Sequence, residues 1–252
     1  MEGFITLLRD AGAVAILTVR AFFAFFKAPI EITPVTYQLD HSGIRSWSIT
    51  VLTALFTGMV LALQFATGLE PYGGSMYTGK LVSLGIVREL GPTLTALLVG
   101  GRVGSGFAAE LGSMVVSEQV DAIRSLGADP IKKLVAPRVL ACIIALPLLT
   151  ILADGVGVFG GLLITMREVG VTAKFFFTQV KDTLGMVDLL HGLAKSVFFG
   201  YFIGILGCFI GLNTTGGTEG VGQSTTKAVV TTAITLLVSN YVLSTIFVAI
   251  YG

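Results

Sequence analysis

Three stretches of this chain carry no charged residue and are each long enough to cross a lipid bilayer: residues 46–69, 196–218 and 228–252. A spanning helix needs about 20 mostly apolar residues. Two more stretches qualify with interruptions, 90–117 with Arg102 and Glu110, and 139–166 with Asp154. Only 12% of the residues are charged, against about a quarter in an ordinary soluble domain. The sequence therefore predicts an all-α integral membrane protein with five transmembrane helices.

The distribution of Lys and Arg predicts how these spans are oriented, because cytoplasmic loops carry an excess of both. With the N-terminus inside, the cytoplasmic segments hold nine of these residues and the outer loops hold four. We predict one membrane domain over residues 1–252, with spans near 46–69, 88–117, 138–166, 195–213 and 228–251. Its N-terminus is cytoplasmic and its C-terminus faces outward.

The first 28 residues predict a helix that lies in the membrane interface. Glu2, Arg9, Arg20 and Lys27 fall within about 20° of one another on a helical wheel. The opposite side is rich in phenylalanine, and a polar stripe facing an apolar one is typical of interfacial helices. Prolines at positions 29 and 34 are expected to end this helix. A poorly formed sixth span is the alternative.

Two nucleotide-binding patterns occur, and neither has the context that such chemistry needs. Residues 74–80 have P-loop spacing, but Leu81 stands where the Mg²⁺-binding hydroxyl belongs. Residues 155–160 match a dinucleotide pattern in mid-span, where close helix packing at Gly157 and Gly161 is the simpler interpretation. With 16 basic against 15 acidic residues, the chain has no basic surface for nucleic acid. We expect no nucleotide, nucleic acid or cofactor to be bound by this chain.

The sequence contains no convincing catalytic or metal site. An intramembrane protease needs a nucleophile and a base, and only Ser105 with His191 qualifies. These two residues are predicted at different depths, since His191 lies near the start of the fourth span. We therefore expect a protein that is not an enzyme.

Charged residues in the second span require an explanation. The uncharged run 90–101 covers only about 18 Å, so Arg102 is expected at membrane depth, where a charge costs roughly 2.5–3.5 kcal/mol. Glu110 is about 80° away around the helix and is too distant for a close pair. The expected partners are Asp154, Lys195, water or a substrate head group. Snorkelling of Arg102 to the interface is the alternative.

The predicted cytoplasmic loop 117–138 contains a short amphipathic helix at 118–126. Ser117 is expected to cap it, Glu118 and Asp121 suit its first turn, and Gly127 stops it. One face is apolar, with Val120, Ile123 and Leu126, and the other is polar, with Gln119, Asp121, Arg124 and Ser125. A helix of this kind is suited to dock in a groove of a partner protein.

Several spaced motifs resemble the MlaE-type permease family. They are RELGP at 88–92, GGRVGSGFAAELGSM at 100–114, SEQVDAIRSLGADPIKKLVAPRVLA at 117–141 and ALPLLT at 145–150. Proteins of this family are the membrane subunits of ABC transporters that traffic phospholipids or other lipids across the envelope of bacteria and plastids. The resemblance implies a bacterial inner-membrane location, a homodimer and two cytoplasmic ATPase subunits that hold ATP and Mg²⁺. It also implies an MCE-type lipid-binding protein on the outer side.

The resemblance further implies that residues 118–126 form the helix that couples the chain to the ATPase, with Glu118, Gln119, Asp121, Arg124 and Leu126 as contacts. It implies a lipid cavity lined mainly by the first, second and fifth spans. By helical spacing we expect the cavity residues among a set on the first two spans: Leu52, Phe56, Val60, Leu63, Leu94, Leu97, Leu98, Arg102 and Glu110. A secondary transporter or channel that uses Arg102, Glu110 and Asp154 as an ion relay is the alternative function.

Overall fold

The computed structural model describes residues 9, 12–21, 23 and 32–251, and all regular structure in this part of the chain is helical. The α-helices are α1 (Gly12–Ala21), α2 (Ile32–Ser42), α3 (Trp47–Leu69), α4 (Thr78–Gly85), α5 (Gly91–Val99), α6 (Ser105–Val116), α7 (Gln119–Ser125), α8 (Ala136–Glu168), α9 (Ala173–Thr183), α10 (Met186–Leu212) and α11 (Gly217–Tyr251). Three π-helical segments join some of them, Ile86–Leu90, Gly100–Gly104 and Ile131–Val135.

Five helical runs in the described residues are long and apolar enough to cross a membrane: Thr33–Tyr72, Ser75–Val116, Ile131–Glu168, Met186–Leu212 and Gly217–Tyr251. The predicted fold class, an all-α membrane protein with five transmembrane helices, is therefore confirmed. The chain is a multi-pass membrane protein.

The helices extend beyond the apolar runs from which they were predicted. The first span agrees closely, since α3 covers Trp47–Leu69. The other four helical runs begin before the predicted spans, at Ser75, Ile131, Met186 and Gly217. Their added turns contain charged residues such as Lys80, Asp188 and Lys227, which lower the local hydropathy without interrupting the helix. Helix α9, in the predicted outer loop, was not expected.

The predicted interfacial helix at 1–28 lies largely outside the described residues. Its described part, α1, has Leu17 and Ala21 buried, while Arg9 and Arg20 are exposed. The end of this helix, predicted at Pro29 and Pro34, lies outside the described residues, and Pro34 itself lies in the first turn of α2. A proline is tolerated there, since its missing N–H would have no partner within the helix.

In two places a proline stands one residue beyond a π-helical segment: Pro92 after Ile86–Leu90 and Pro137 after Ile131–Val135. A proline inside a helix lacks the N–H that bonds to the carbonyl four residues earlier, and its ring crowds that carbonyl. At the first of these segments the Gly91 N–H bonds to Ile86 O, five residues back. The wider turn relieves the crowding and frees backbone carbonyls, which is typical of functional sites in helices.

The chain divides into two compact units. The first comprises the described part of Met1–Ile44 with Val99–Ala145 and Phe199–Leu237, and the second comprises Arg45–Leu98, Leu146–Phe198 and the described part of Val238–Gly252. The apolar core of the second unit is built from α3, α4, α8 and α9 around Ala62, Val82, Val158, Leu162 and Phe176.

Small residues let the helices of each unit approach closely. In the second unit, Gly58 of α3 packs against the backbone of Gly157 of α8, and any Cβ at position 58 would overlap the Gly157 carbonyl. In the first unit, Gly200 and Gly204 of α10 pack on α8 at Cys142 and Val139. The interpretation of Gly157 and Gly161 as a packing surface is confirmed, since a Cβ at these positions would meet Ile86 and Val82.

Candidate functional site

An open apolar groove runs along α3 in the second unit. Its volume is about 670 Å³, and its walls are formed by Leu52, Thr53, Phe56, Thr57, Val60, Leu61, Gln64 and Leu90. Phe56 is 54% exposed and Leu52 and Val60 are similarly accessible. These residues recur every four positions, so they form one stripe of the helix. Large apolar side chains exposed along such a groove mark a surface for lipid, for another helix or for an apolar ligand.

The predicted cavity residues do not all lie on this groove. Leu52, Phe56 and Val60 line it, whereas Leu63 is exposed on α3 outside its walls. Leu94 and Leu98 line a separate cavity of about 20 Å³, which shares Thr53, Thr57 and Leu90 with the groove. Leu97 is half-buried. Their role in binding a substrate stays a prediction.

A buried ion pair joins Glu89, in the π-helical segment before α5, to Lys195 of α10. The Lys195 Nζ lies 2.7 Å from Glu89 Oε1, and the side chain is 1% exposed. Its ammonium also donates to Ser244 Oγ at 2.7 Å and to Arg88 O at 3.1 Å. An ammonium has three donors, so all three are used. Arg88 O is free to accept because Pro92, four residues later, has no N–H.

The Glu89 carboxylate of this pair also accepts hydrogen bonds from two further side chains. Ser244 Oγ donates to Glu89 Oε1 at 3.0 Å, and Asn240 Nδ2 donates to Glu89 Oε2 at 3.3 Å. Both partners lie on α11. The three segments are therefore tied together by one hydrogen-bonded network, which is the condition under which a buried ion pair is tolerated.

A second ion pair in the same unit joins Arg88 to Asp188 of α10. The Arg88 Nε donates to Asp188 Oδ1 at 2.5 Å, and Asp188 Oδ2 accepts from the Gly185 N–H at 2.8 Å. His191 is buried one turn further along α10 and stacks on Phe247 with ring centroids 3.6 Å apart. The histidine that the sequence placed near the start of the fourth span is therefore a packed, buried side chain. In both ion pairs the residue before α5 is partly exposed while its partner on α10 is buried.

Glu110 pairs with a residue that the sequence did not single out. Its Oε1 lies 2.7 Å from Arg138 Nη2, near the start of α8. Of the expected partners, Lys195 binds Glu89, and Asp154 lies against Gly91 with its Oδ1 buried and without a hydrogen-bond partner. Arg102 is exposed on the π-helical segment Gly100–Gly104.

Helix α7 lies where the amphipathic loop helix was predicted, at Gln119–Ser125. Gly127, at φ +73°, follows it as expected, and Asp129 Oδ1 accepts from the Ile131 N–H as the cap of the next segment. The predicted cap at its start is wrong. Ser117 Oγ donates back to Ser113 O, and the residue before the helix is Glu118, at φ +59°.

The two faces of α7 also differ from the prediction. Val120 is buried, but Leu126 is 85% exposed and so is not part of a packed apolar face. Asp121 and Arg124 pair with each other at 2.8 Å, and both are exposed, as are Glu118 and Gln119. Helix α7 and the residue that follows it thus expose the Asp121–Arg124 ion pair and the side chain of Leu126.

Sequence reasoning missed Arg88, Glu89, Asp188 and Arg138. Three of them lie inside motifs or spans that were identified, yet only the packing of the helices shows which charges meet. Among the described residues, no three His, Cys, Asp or Glu side chains lie close enough together to hold a metal ion.

Comparison with known proteins places this architecture in a family. Residues 35–246 match the family described as Permease MlaE. The chain is 37% identical over 240 residues to a probable ABC transporter permease protein of Rickettsia typhi, covering 95% of this chain and 93% of the relative. It is 43% identical over 232 residues to a probable ABC transporter permease protein of a Synechocystis strain, covering 92% and 88%.

A plant protein is also similar. The chain is 37% identical over 235 residues to the chloroplastic protein trigalactosyldiacylglycerol 1 of Arabidopsis thaliana, covering 93% of this chain and 67% of the relative. The predicted resemblance is confirmed: the chain belongs to the MlaE family of ABC transporter permeases.

Proposed function

We propose that this chain is the transmembrane subunit of an ABC transporter that moves phospholipids or related lipids across the bacterial cell envelope, driven by ATP hydrolysis on a separate subunit. The observation that carries the proposal is the α3 groove, an apolar trough of about 670 Å³ in a permease of this family. Its size falls within the range of about 300–1,000 Å³ typical of small-molecule sites. Its walls suit acyl chains, which need apolar contact and no hydrogen bonds.

The two ion pairs of the second unit supply a polar end for such a substrate. Arg88 and Glu89 are adjacent, and each side chain is 42% exposed. Their ion-pair partners, Asp188 for Arg88 and Lys195 for Glu89, are buried. A guanidinium beside a carboxylate is complementary to the phosphate and the ammonium of a zwitterionic head group. Leu90, next in sequence, lines the groove. The proposed substrate is therefore a two-part molecule, with a charged head and apolar tails.

The energy source is proposed to act through α7. We propose that cytoplasmic ATPase subunits, which carry ATP and Mg²⁺, bind its exposed residues Glu118, Gln119, Asp121, Arg124 and Leu126. An exposed leucine on the same surface as charged residues is typical of a docking site, because the apolar side chain gives affinity and the charges give specificity. On this proposal the chain is not itself an enzyme.

The exposed span surfaces support a homodimer. In the most apolar windows of the runs that contain α3 and α11, only 22% and 6% of the residues are buried inside the chain, against 50–61% in the other three. A second copy of the chain would cover part of these faces and enclose the groove. We further propose an inner-membrane location, a cytoplasmic N-terminus and an MCE-type lipid-binding partner on the outer side.

The test is reconstitution of the chain with its ATPase in proteoliposomes that contain a fluorescent phospholipid. ATP-dependent transfer of the probe to acceptor vesicles is expected. Phe56→Glu should abolish it, because a carboxylate in the groove repels acyl chains. Ile151→Glu on α8 is the matched control, since Ile151 is also 54% exposed but lies outside the groove.

Two outcomes would overturn the proposal. Transfer that survives Phe56→Glu would show that lipid does not use the groove. Ion flux through the chain without ATPase or ATP, in the absence of lipid transfer, would favour an ion-relay transporter instead.

A further inference from the structure

We propose that the Glu110–Arg138 ion pair is a positioning element for energy coupling: it locks together the two helices that flank α7, so that a displacement of α7 moves both. This inference rests on the proposed function of α7 as the docking element for the ATPase. All of the residues that carry it belong to the first unit.

The pair closes the loop that contains α7. Glu110 lies on α6, which ends at Val116, and Arg138 lies in the first turn of α8. The Arg138 guanidinium makes three contacts at once. Its Nη2 lies 2.7 Å from Glu110 Oε1, its Nη1 donates to Leu134 O at 2.6 Å, and its plane lies 5.7 Å from the centre of the Phe107 ring.

Two of these contacts, Glu110 and Phe107, are on α6, one turn apart. Arg138 therefore contacts two side chains of α6 while its guanidinium also hydrogen-bonds to the backbone just before α8. Its side chain is 6% exposed. Glu110 is its only described counter-ion, so loss of the glutamate charge leaves a buried guanidinium uncompensated.

The glycine face of α10 completes a rigid group. Gly200 and Gly204 pack on α8, at Cys142 and Val139. One and two turns further along α10, Gly207 packs on Gly104 and Gly211 packs on Ala108 of α6. Helices α6 and α8 thus both pack closely against the backbone of α10, and the ion pair joins them directly. Closely packed interfaces shift as bodies rather than deforming continuously.

Helix α7 is attached to the rest of the first unit through its own packing and through the turns at its two ends. Val120 is buried, and the helix is bounded by Glu118 and Gly127, both with positive φ. A push on its exposed residues is transmitted to α6 through one end and towards α8 through the other. Without the ion pair the two flanking helices can respond separately, and ATP hydrolysis is no longer matched to movement of the spans.

The experiment compares the amount of lipid transferred per ATP hydrolysed in the reconstituted complex. Glu110→Gln and Arg138→Gln should each lower this ratio about fivefold or more, while assembly with the ATPase and hydrolysis itself continue. Arg138→Lys should restore much of the ratio, because it keeps the charge. Arg167→Gln is the matched control, since Arg167 forms an exposed pair with Glu168 at the far end of the same helix.

A second readout does not depend on the substrate. A fluorophore on Ile144→Cys, exposed on α8 within the first unit, in a background lacking Cys142 and Cys208, should respond to ATP in the otherwise unaltered complex and lose that response with Arg138→Gln. Failure of the unaltered complex to transfer lipid would refute the proposed function while this signal still tests the ion pair.

An unchanged ratio in both glutamine variants would overturn the inference. So would transfer and hydrolysis falling in equal proportion together with the folded fraction, because that pattern belongs to a pair that only stabilises the fold.

Discussion

The network around Lys195 makes an asymmetric prediction about stability. Lys195 is 1% exposed, and its only described counter-ion is Glu89, which is 42% exposed at the side chain. Glu89→Gln leaves an ammonium in the interior with two neutral acceptors, Ser244 Oγ and Arg88 O. Lys195→Met instead leaves a carboxylate that is partly accessible and still accepts hydrogen bonds from Ser244 and Asn240.

The magnitudes follow from which charge is stranded. Removing one partner of a buried pair costs about 3–5 kcal/mol, and the partial exposure of Glu89 lowers the cost of Glu89→Gln to about 2–3 kcal/mol. Lys195→Met should cost about 1 kcal/mol or less. The double variant should resemble Lys195→Met alone, because no unpaired buried cation remains. The coupling free energy between the two sites then equals the cost of Glu89→Gln, about 2–3 kcal/mol.

Thermal unfolding in detergent measures these differences. At about 2–4 °C per kcal/mol for a chain of this size, Glu89→Gln should lower Tm by roughly 4–12 °C. The chain carries a probe in each unit: Cys142 and Cys208 are buried in the first and react with a fluorogenic thiol dye on unfolding, and the single tryptophan, Trp47, lies in the second.

The reasoning is refuted if Glu89→Gln is no more destabilising than Lys195→Met. It is also refuted if Glu89→Gln keeps its full cost in the Lys195→Met background, because its effect would then not arise from the stranded ammonium.

Two further predictions concern α7. Exchanging Asp121 and Arg124 for each other preserves their 2.8 Å ion pair but inverts the charges that a partner protein meets. Because each charged hydrogen bond at an interface is worth about 1.5–3 kcal/mol, ATPase binding measured by co-purification should weaken about tenfold or more. Binding and lipid transfer at wild-type levels would show that this surface does not contact the ATPase. Ser125→Cys, in a chain lacking Cys142 and Cys208, should react with a membrane-impermeant reagent only from the cytoplasmic side of sealed vesicles, and labelling from outside would contradict the orientation.

Local features of the sequence were enough for the class of fold. A lipid bilayer demands about 20 apolar residues for each span, so the number of spans follows from hydropathy alone. The end of α7 was equally predictable, since Gly127 adopts a positive φ that favours glycine. Gly157 and Gly161 were correctly interpreted as a packing surface, because the lack of a Cβ lets a neighbouring helix approach closely in any membrane protein.

Local features also misled in identifiable places. Ser117 is a good N-cap residue, but its hydroxyl bonds back to Ser113 because α6 continues to Val116 before the chain turns at Glu118. Leu126 fits an apolar stripe by spacing, yet it comes after the last turn of α7 and points to solvent. The helical runs that contain the second to fifth spans begin before the predicted spans, since charged residues lower the hydropathy of a helix without ending it.

The tertiary structure alone decided which charges meet. Glu110 binds Arg138, and Glu89 binds Lys195, although neither pair is close in sequence. The same holds for His191, which is buried against Phe247. The period of a helix tells which residues share a face, but the facing partner depends on the rotation and axial position of a second helix. Those are set by the summed packing of many small residues along both helices, which no single stretch of sequence contains.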